Sequence, residues 1–182
     1  MLSDSQREFA QNALRTMQII VGALALGVIV FIGVTIFLVA QNAKAVIPDK
    51  PFLTYTSLGM AFMVVVAWLV VPNTVVAKMR KAIIDGDSSD WGLVKNVPNS
   101  AQLGLVVPLA AAYQTKTIVA AALLEGAAFF CTVAYLIEHQ SVALYVAIAL
   151  AFFILLQIPT LSRFESWLDS ESTSIEQLRQ MR

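Results

Sequence analysis

Charge is scarce in this sequence. Asp, Glu, Lys and Arg together make up 13% of the 182 residues, 12 acidic and 12 basic, so the formal net charge is zero. Soluble domains carry about 25% charged residues; half that share, with a mean hydropathy of +0.75, points to lipid as the solvent. No basic excess is present to neutralise phosphates, so nucleic acid is not an expected partner. A single cysteine, Cys131, excludes an intramolecular disulfide and argues against a thiolate metal site. His139 is the lone histidine, too few for a metal cluster or a proton relay. With no Ser/His/Asp set and no phosphate-cradling glycine loop, neither an enzyme, a cofactor nor a metal is expected.

Long uncharged runs are what the sequence has instead. No charge falls between Arg15 and Lys44, or between Lys50 and Lys78. A third run lies between Lys116 and Glu138, interrupted only by Glu125, and a fourth precedes Arg163. These predict membrane spans at about 17–40, 56–76, 117–137 and 142–161. Each offers about 20 residues, which at about 1.5 Å apiece crosses a hydrocarbon core of about 30 Å. Ala43-Lys44-Ala45 loosely fits a signal cleavage site. However, the first apolar run is much longer than a signal core of about 7–15 residues, so it reads as an uncleaved helix.

Basic residues orient the spans. Arg7, Arg15, Lys78, Arg80, Lys81, Lys95, Lys116, Arg163, Arg179 and Arg182 fall on one side, against Lys44 and Lys50 on the other. Both termini are therefore expected in the cytoplasm, in a multi-pass protein of the cell (inner) membrane. The 77–116 segment becomes a cytoplasmic loop and 162–182 an amphipathic tail, all in a single membrane domain. Within that loop "DGDSSDWG" (85–92) clusters three aspartates. An EF-hand would need glycine at its sixth position and glutamate at its twelfth, where Asp90 and Asn96 stand, so a solvated turn is expected. The stretch 100–114 is apolar enough to lie in the membrane interface. In the tail, Ser162–Glu165 and Thr173–Glu176 form two candidate capping boxes, and Phe164, Trp167 and Leu168 a patch suited to the inner membrane surface.

A shift of 99 residues lays 16–41 on 115–140 with eight identities in 26 positions, among them Ala23 with Ala122, Gly27 with Gly126 and Phe31 with Phe130. The second and fourth spans each end in an apolar-Pro pair, Val71-Pro72 and Ile158-Pro159. The expected fold is all-α: an integral membrane four-helix bundle of two tandem hairpins, related by a pseudo-two-fold along the membrane normal. Leu26 occupies the place of Glu125 in the first repeat, so the fold itself does not call for the acid.

Glu125 is consequently the candidate site. On a helix, Gln114, Ala121, Ala122, Ala128, Phe129 and Thr132 share its face, whereas Val119, Leu123, Phe130 and Ile137 lie opposite. Small residues on that face predict a helix packed inward through it, aided by Ala122-xxx-Gly126 against Ala23-xxx-Gly27. Lipid favours the neutral carboxyl. One reading is structural, with the acid hydrogen-bonded to Thr35, Thr132, Tyr145, Gln157 or a backbone carbonyl. A second is a reversible proton or sodium site with Gln114 and Thr132 along the face. Contacts to a lipid headgroup or a partner protein are the third.

"TIVAAALLEGAAFF" (117–130) resembles the carboxylate-bearing helix of rotary ATPase c (proteolipid) subunits, over about residues 117–134. That resemblance implies an ion-binding carboxylate at Glu125. The first helix here lacks the proteolipid Gly-x-Gly repeats, the polar loop lacks an Arg-Gln-Pro-like turn, and the acid sits on the first helix of its hairpin rather than the second. Across its whole length the chain resembles small four-helix bacterial membrane proteins of uncharacterised role, which implies no mechanism. The functional expectation is an accessory, scaffolding or complex subunit whose partners are the bilayer and a second copy or another membrane protein. The alternative is a proton- or sodium-binding subunit using Glu125.

Overall fold

The computed structural model describes residues 4–41, 51–85 and 105–180. Five helices account for nearly all of them: α1 (Asp4–Gln41), α2 (Phe52–Asp85), α3 (Val106–Glu138), α4 (Ser141–Leu156) and α5 (Leu161–Gln180). Among the described residues there is no strand. Helix is what such apolar runs require, because only a helix satisfies every backbone N–H and C=O within the segment where water is absent. Three helices, α1, α2 and α3, are long and apolar enough to cross a membrane. With 16 residues, about 24 Å long, α4 makes a fourth span only when taken together with α5 as one broken helix.

The break between α4 and α5 has a local cause. Pro159 has no N–H to donate and biases Ile158 away from helical geometry. The last helical bonds therefore tighten, with Gln157 N–H donating to the Ile154 carbonyl (3.0 Å) and Ile158 N–H to that of Leu155 (3.2 Å). Beyond it, Gln18 Nε2 donates to the Pro159 carbonyl (2.9 Å) and Phe164 N–H to that of Thr160 (3.0 Å), which starts α5. Pro72, its counterpart in the second span, lies inside α2.

The chain divides into two compact units. One comprises Met1–Ile19, Val71–Ile118 and Pro159–Arg182. Its core joins Ala10, Leu14 and Met17 of α1, Ile83 of α2, Leu109 and Ala110 of α3, and Phe164, Leu168 and Ile175 of α5. The Tyr113 ring packs against Phe164 (centroids 4.9 Å apart) and Trp167 (5.0 Å). Arg80 grips Glu171 in a fork, Nε to Oε2 at 2.9 Å and Nη2 to Oε1 at 2.8 Å.

The other unit comprises Ile20–Val70 and Val119–Ile158. Its core is dominated by small residues, with Ala25, Ala61, Ala121, Ala127, Ala128, Ala147 and Ala151 among Val21, Val28, Ile32, Leu124, Leu150 and Ile154. Alanines allow close backbone approach, which is how helices gain dispersion contact where lipid offers no hydrophobic drive between them.

The segment expected to be loop from 77 to 116 is helical at both described ends. α2 continues to Asp85 and α3 starts at Val106. Ile83 and Leu109, buried in the first unit's core, draw these extensions into helix. Pro108 sits in the first turn of α3, where a missing N–H costs no intrahelical bond. The apolar start of α3, Val106 to Ala112, is buried in the protein. In α5 the Thr173–Glu176 pair is no cap: Thr173 stands mid-helix and its hydroxyl donates to the Asp169 carbonyl (2.9 Å). Phe164 and Leu168, expected on the membrane surface, pack into the protein core. The aspartate-rich turn at 86–92, the Ala43–Ala45 site, Lys50 and Lys95 lie outside the described residues.

Candidate functional site

Glu125 lies near the middle of α3, in the small-residue unit. The buried stripe of that helix runs through Ala121, Leu124, Ala128, Cys131 and Thr132. Glu125 sits on the flank of this stripe and is only half-buried. The inward-packed face is thus rotated from the one expected around Glu125, because bulky Leu124 and Cys131 enter the core while Ala122 and Gly126 are exposed.

The flank faces α1. A Cβ built on Gly27 would stand 3.9 Å from Glu125 Oε1 and 4.0 Å from Phe129 Cζ, so the bare glycine puts no side chain of its own against the carboxyl. One turn along, Phe31 and Phe129 meet edge-to-face with centroids 5.2 Å apart. Gly27 therefore does approach α3 as expected, but through Glu125 and Phe129. Ala23, Gly27, Ala122 and Gly126 are all exposed.

None of the expected internal partners reaches it. Thr132 is buried and its hydroxyl donates to the Ala128 carbonyl of its own helix (2.7 Å). Buried Thr35 Oγ1 and Gln157 Nε2 have no partner, and Tyr145 is 68% exposed. Among the described residues Glu125 has neither a hydrogen-bond nor an ion-pair partner. Buried acids usually find one.

Gln114 is eleven residues, about 16 Å, along α3 from Glu125, and belongs to the other unit. It lines a pocket of about 320 Å³ with Phe9, Asn12, Ala13, Thr16, Val107, Ala110 and Ala111, which neither Glu125 nor Thr132 lines. The three candidate residues share a helix face but do not form one site. Among the described residues no group of three His, Cys, Asp or Glu side chains is placed to hold a metal ion.

A second carboxylate has a role that the sequence did not disclose. Glu138, expected beside His139 in a hydrated turn, is 3% exposed. Its Oε1 accepts the Leu53 N–H (2.6 Å) and its Oε2 the Thr54 N–H (2.7 Å). Those are orphan donors of the first turn of α2, so the end of α3 caps the start of α2 with charge of the favourable sign. His139 takes a left-handed conformation (φ 54°) to turn the chain into α4. The one signal available was an acid at the end of an otherwise apolar run; its partner lies 84 residues away.

No family model, curated protein or solved structure matches the chain.

Proposed function

We propose that this chain is an accessory or scaffolding subunit of a membrane protein complex. One observation carries the reading: Glu125, in the middle of a 33-residue apolar helix, is half-exposed and has no partner within the described chain. A carboxyl in hydrocarbon is costly unless paired. A protein complete in itself would turn the acid inward or satisfy it, whereas a subunit leaves it for a neighbour. The reading includes four spans in two tandem hairpins, both termini in the cytoplasm, and residence in the cell membrane.

Burial supports the repeat. Adding 99 to the buried positions Val21, Ala25, Val28 and Ile32 gives Ala120, Leu124, Ala127 and Cys131, all buried too. The contacts of Gly27 with Glu125 and of Phe31 with Phe129 are 98 residues apart, close to the same offset. Helices α1 and α3 thus meet at equivalent levels, as a two-fold along the membrane normal requires.

The second reading, a proton- or sodium-binding subunit, draws on the unpartnered Glu125 and its likeness to the proteolipid helix. Thr132 supports it poorly, since its hydroxyl already bonds within its own helix. Purification in mild detergent tests the subunit reading. A stable partner in fixed stoichiometry supports it; a lone, monodisperse homo-oligomer counts against it.

A further inference from the structure

We infer that the carboxyl of Glu125 receives a transmembrane helix of another protein that carries a lysine or arginine at mid-depth. The inference rests on the subunit reading above and names the chemistry of the partner. Three observations carry it. The acid has no partner among the described residues and is reachable from outside the unit, being half-exposed on the flank of α3. Gly27 supplies the room, since it places no side chain of its own against Oε1, which an added Cβ would meet at 3.9 Å.

Charge complementarity then selects the occupant. The apolar runs 16–43, 51–77, 117–137 and 140–162 contain no lysine or arginine, so a second copy of this chain cannot offer a cation at that depth. A helix with a single ammonium or guanidinium in hydrocarbon carries the complementary unpaired group. Bringing the two together removes both penalties at once and adds a charge-assisted hydrogen bond. Ala122 and Gly126, exposed beside the acid on α3, and Ala23, exposed one turn before Gly27 on α1, carry no bulky side chain and let the incoming backbone approach closely.

The test uses the full-length protein in lipid vesicles with a synthetic 21-residue Leu/Ala helix bearing one central lysine. Otherwise identical helices bear leucine or glutamate there, and association is read by energy transfer. The lysine helix is expected to bind at least about tenfold more tightly than the leucine helix, a difference of about 1.4 kcal/mol. Glu125→Gln should bring that preference below about twofold. Gly27→Ala should weaken it too while keeping the acid: its Cβ meets only ordinary contacts, so the fold tolerates it, and it stands 3.9 Å from Oε1, against the carboxyl. Equal binding of lysine and leucine helices overturns the inference, as does a lysine preference that survives Glu125→Gln. Sodium protection of Glu125 from a hydrophobic carbodiimide, with no helix added, overturns it in favour of an ion site. A co-purified partner whose spans lack a basic residue overturns the inference and leaves the subunit reading standing. Absence of any native partner overturns the subunit reading and the inference with it.

Discussion

Truncating Phe164 separates a tail docked on protein from one lying on lipid. Its side chain is completely buried, seated between Tyr113 and the core formed by Leu14, Met17 and Leu109. Phe→Ala in a packed core costs about 3–5 kcal/mol, to which the lost ring pair with Tyr113 belongs. At about 1.4 kcal/mol per tenfold in an equilibrium constant, even the lower figure raises the open population of α5 roughly a hundredfold. Hydrogen exchange of the protein in nanodiscs reads this directly, through the backbone amides of Leu161–Gln180. Phe164→Ala should speed their exchange roughly a hundredfold unless it reaches the rate of the free peptide first. Leu178→Ala is the control: that side chain is 37% exposed, so the change should be within about 0.5 kcal/mol. Equal effects of the two substitutions, or protection that vanishes in detergent without any mutation, would refute the packing argument and return α5 to the membrane surface.

The Arg80–Glu171 fork should couple α2 to α5, but only modestly, because the Arg80 side chain is 35% exposed. A double-mutant cycle with Arg80→Met and Glu171→Gln is expected to give about 1 kcal/mol, shrinking in high salt; zero coupling in low salt would contradict it. Glu138→Ala should accelerate exchange at Leu53 and Thr54 about five- to tenfold, the effect of losing a helix cap, with the centre of α2 unchanged. Cys131 is buried and donates to the Ser57 carbonyl (3.7 Å), so a maleimide should label it only after denaturation; rapid labelling of the folded protein would contradict its place in the core.

Apolar runs made the helices legible, because length and the absence of charge decide whether a segment can cross lipid. Their ends were less so. Lys78, Arg80 and Lys81 mark where the apolar run of the second span stops, yet α2 continues because Ile83 has a core to enter. That core is assembled from four distant segments and leaves no local trace. The same holds for Glu138, whose ligands are two backbone N–H groups of α2 that carry no side-chain signature. Glu125 was legible as an anomaly, but not its orientation. A helical wheel centred on Glu125 puts Ala121, Ala128 and Thr132 inward, as found, but also Ala122, which is exposed, and it leaves out Leu124 and Cys131, which fill the core. Side-chain size tells which faces allow close approach, not which neighbour takes them up.

The most direct test of the account is site-specific photocrosslinking in native membranes from positions Ala23, exposed one turn before Gly27 on α1, and Ala122, exposed three residues before Glu125 on α3, with Phe153, an exposed residue of α4, as the reference. A distinct membrane protein captured from Ala23 and Ala122, absent from Phe153 and lost in Glu125→Gln, is the predicted result. Adducts with lipid alone, or only with a second copy of the chain, would contradict it.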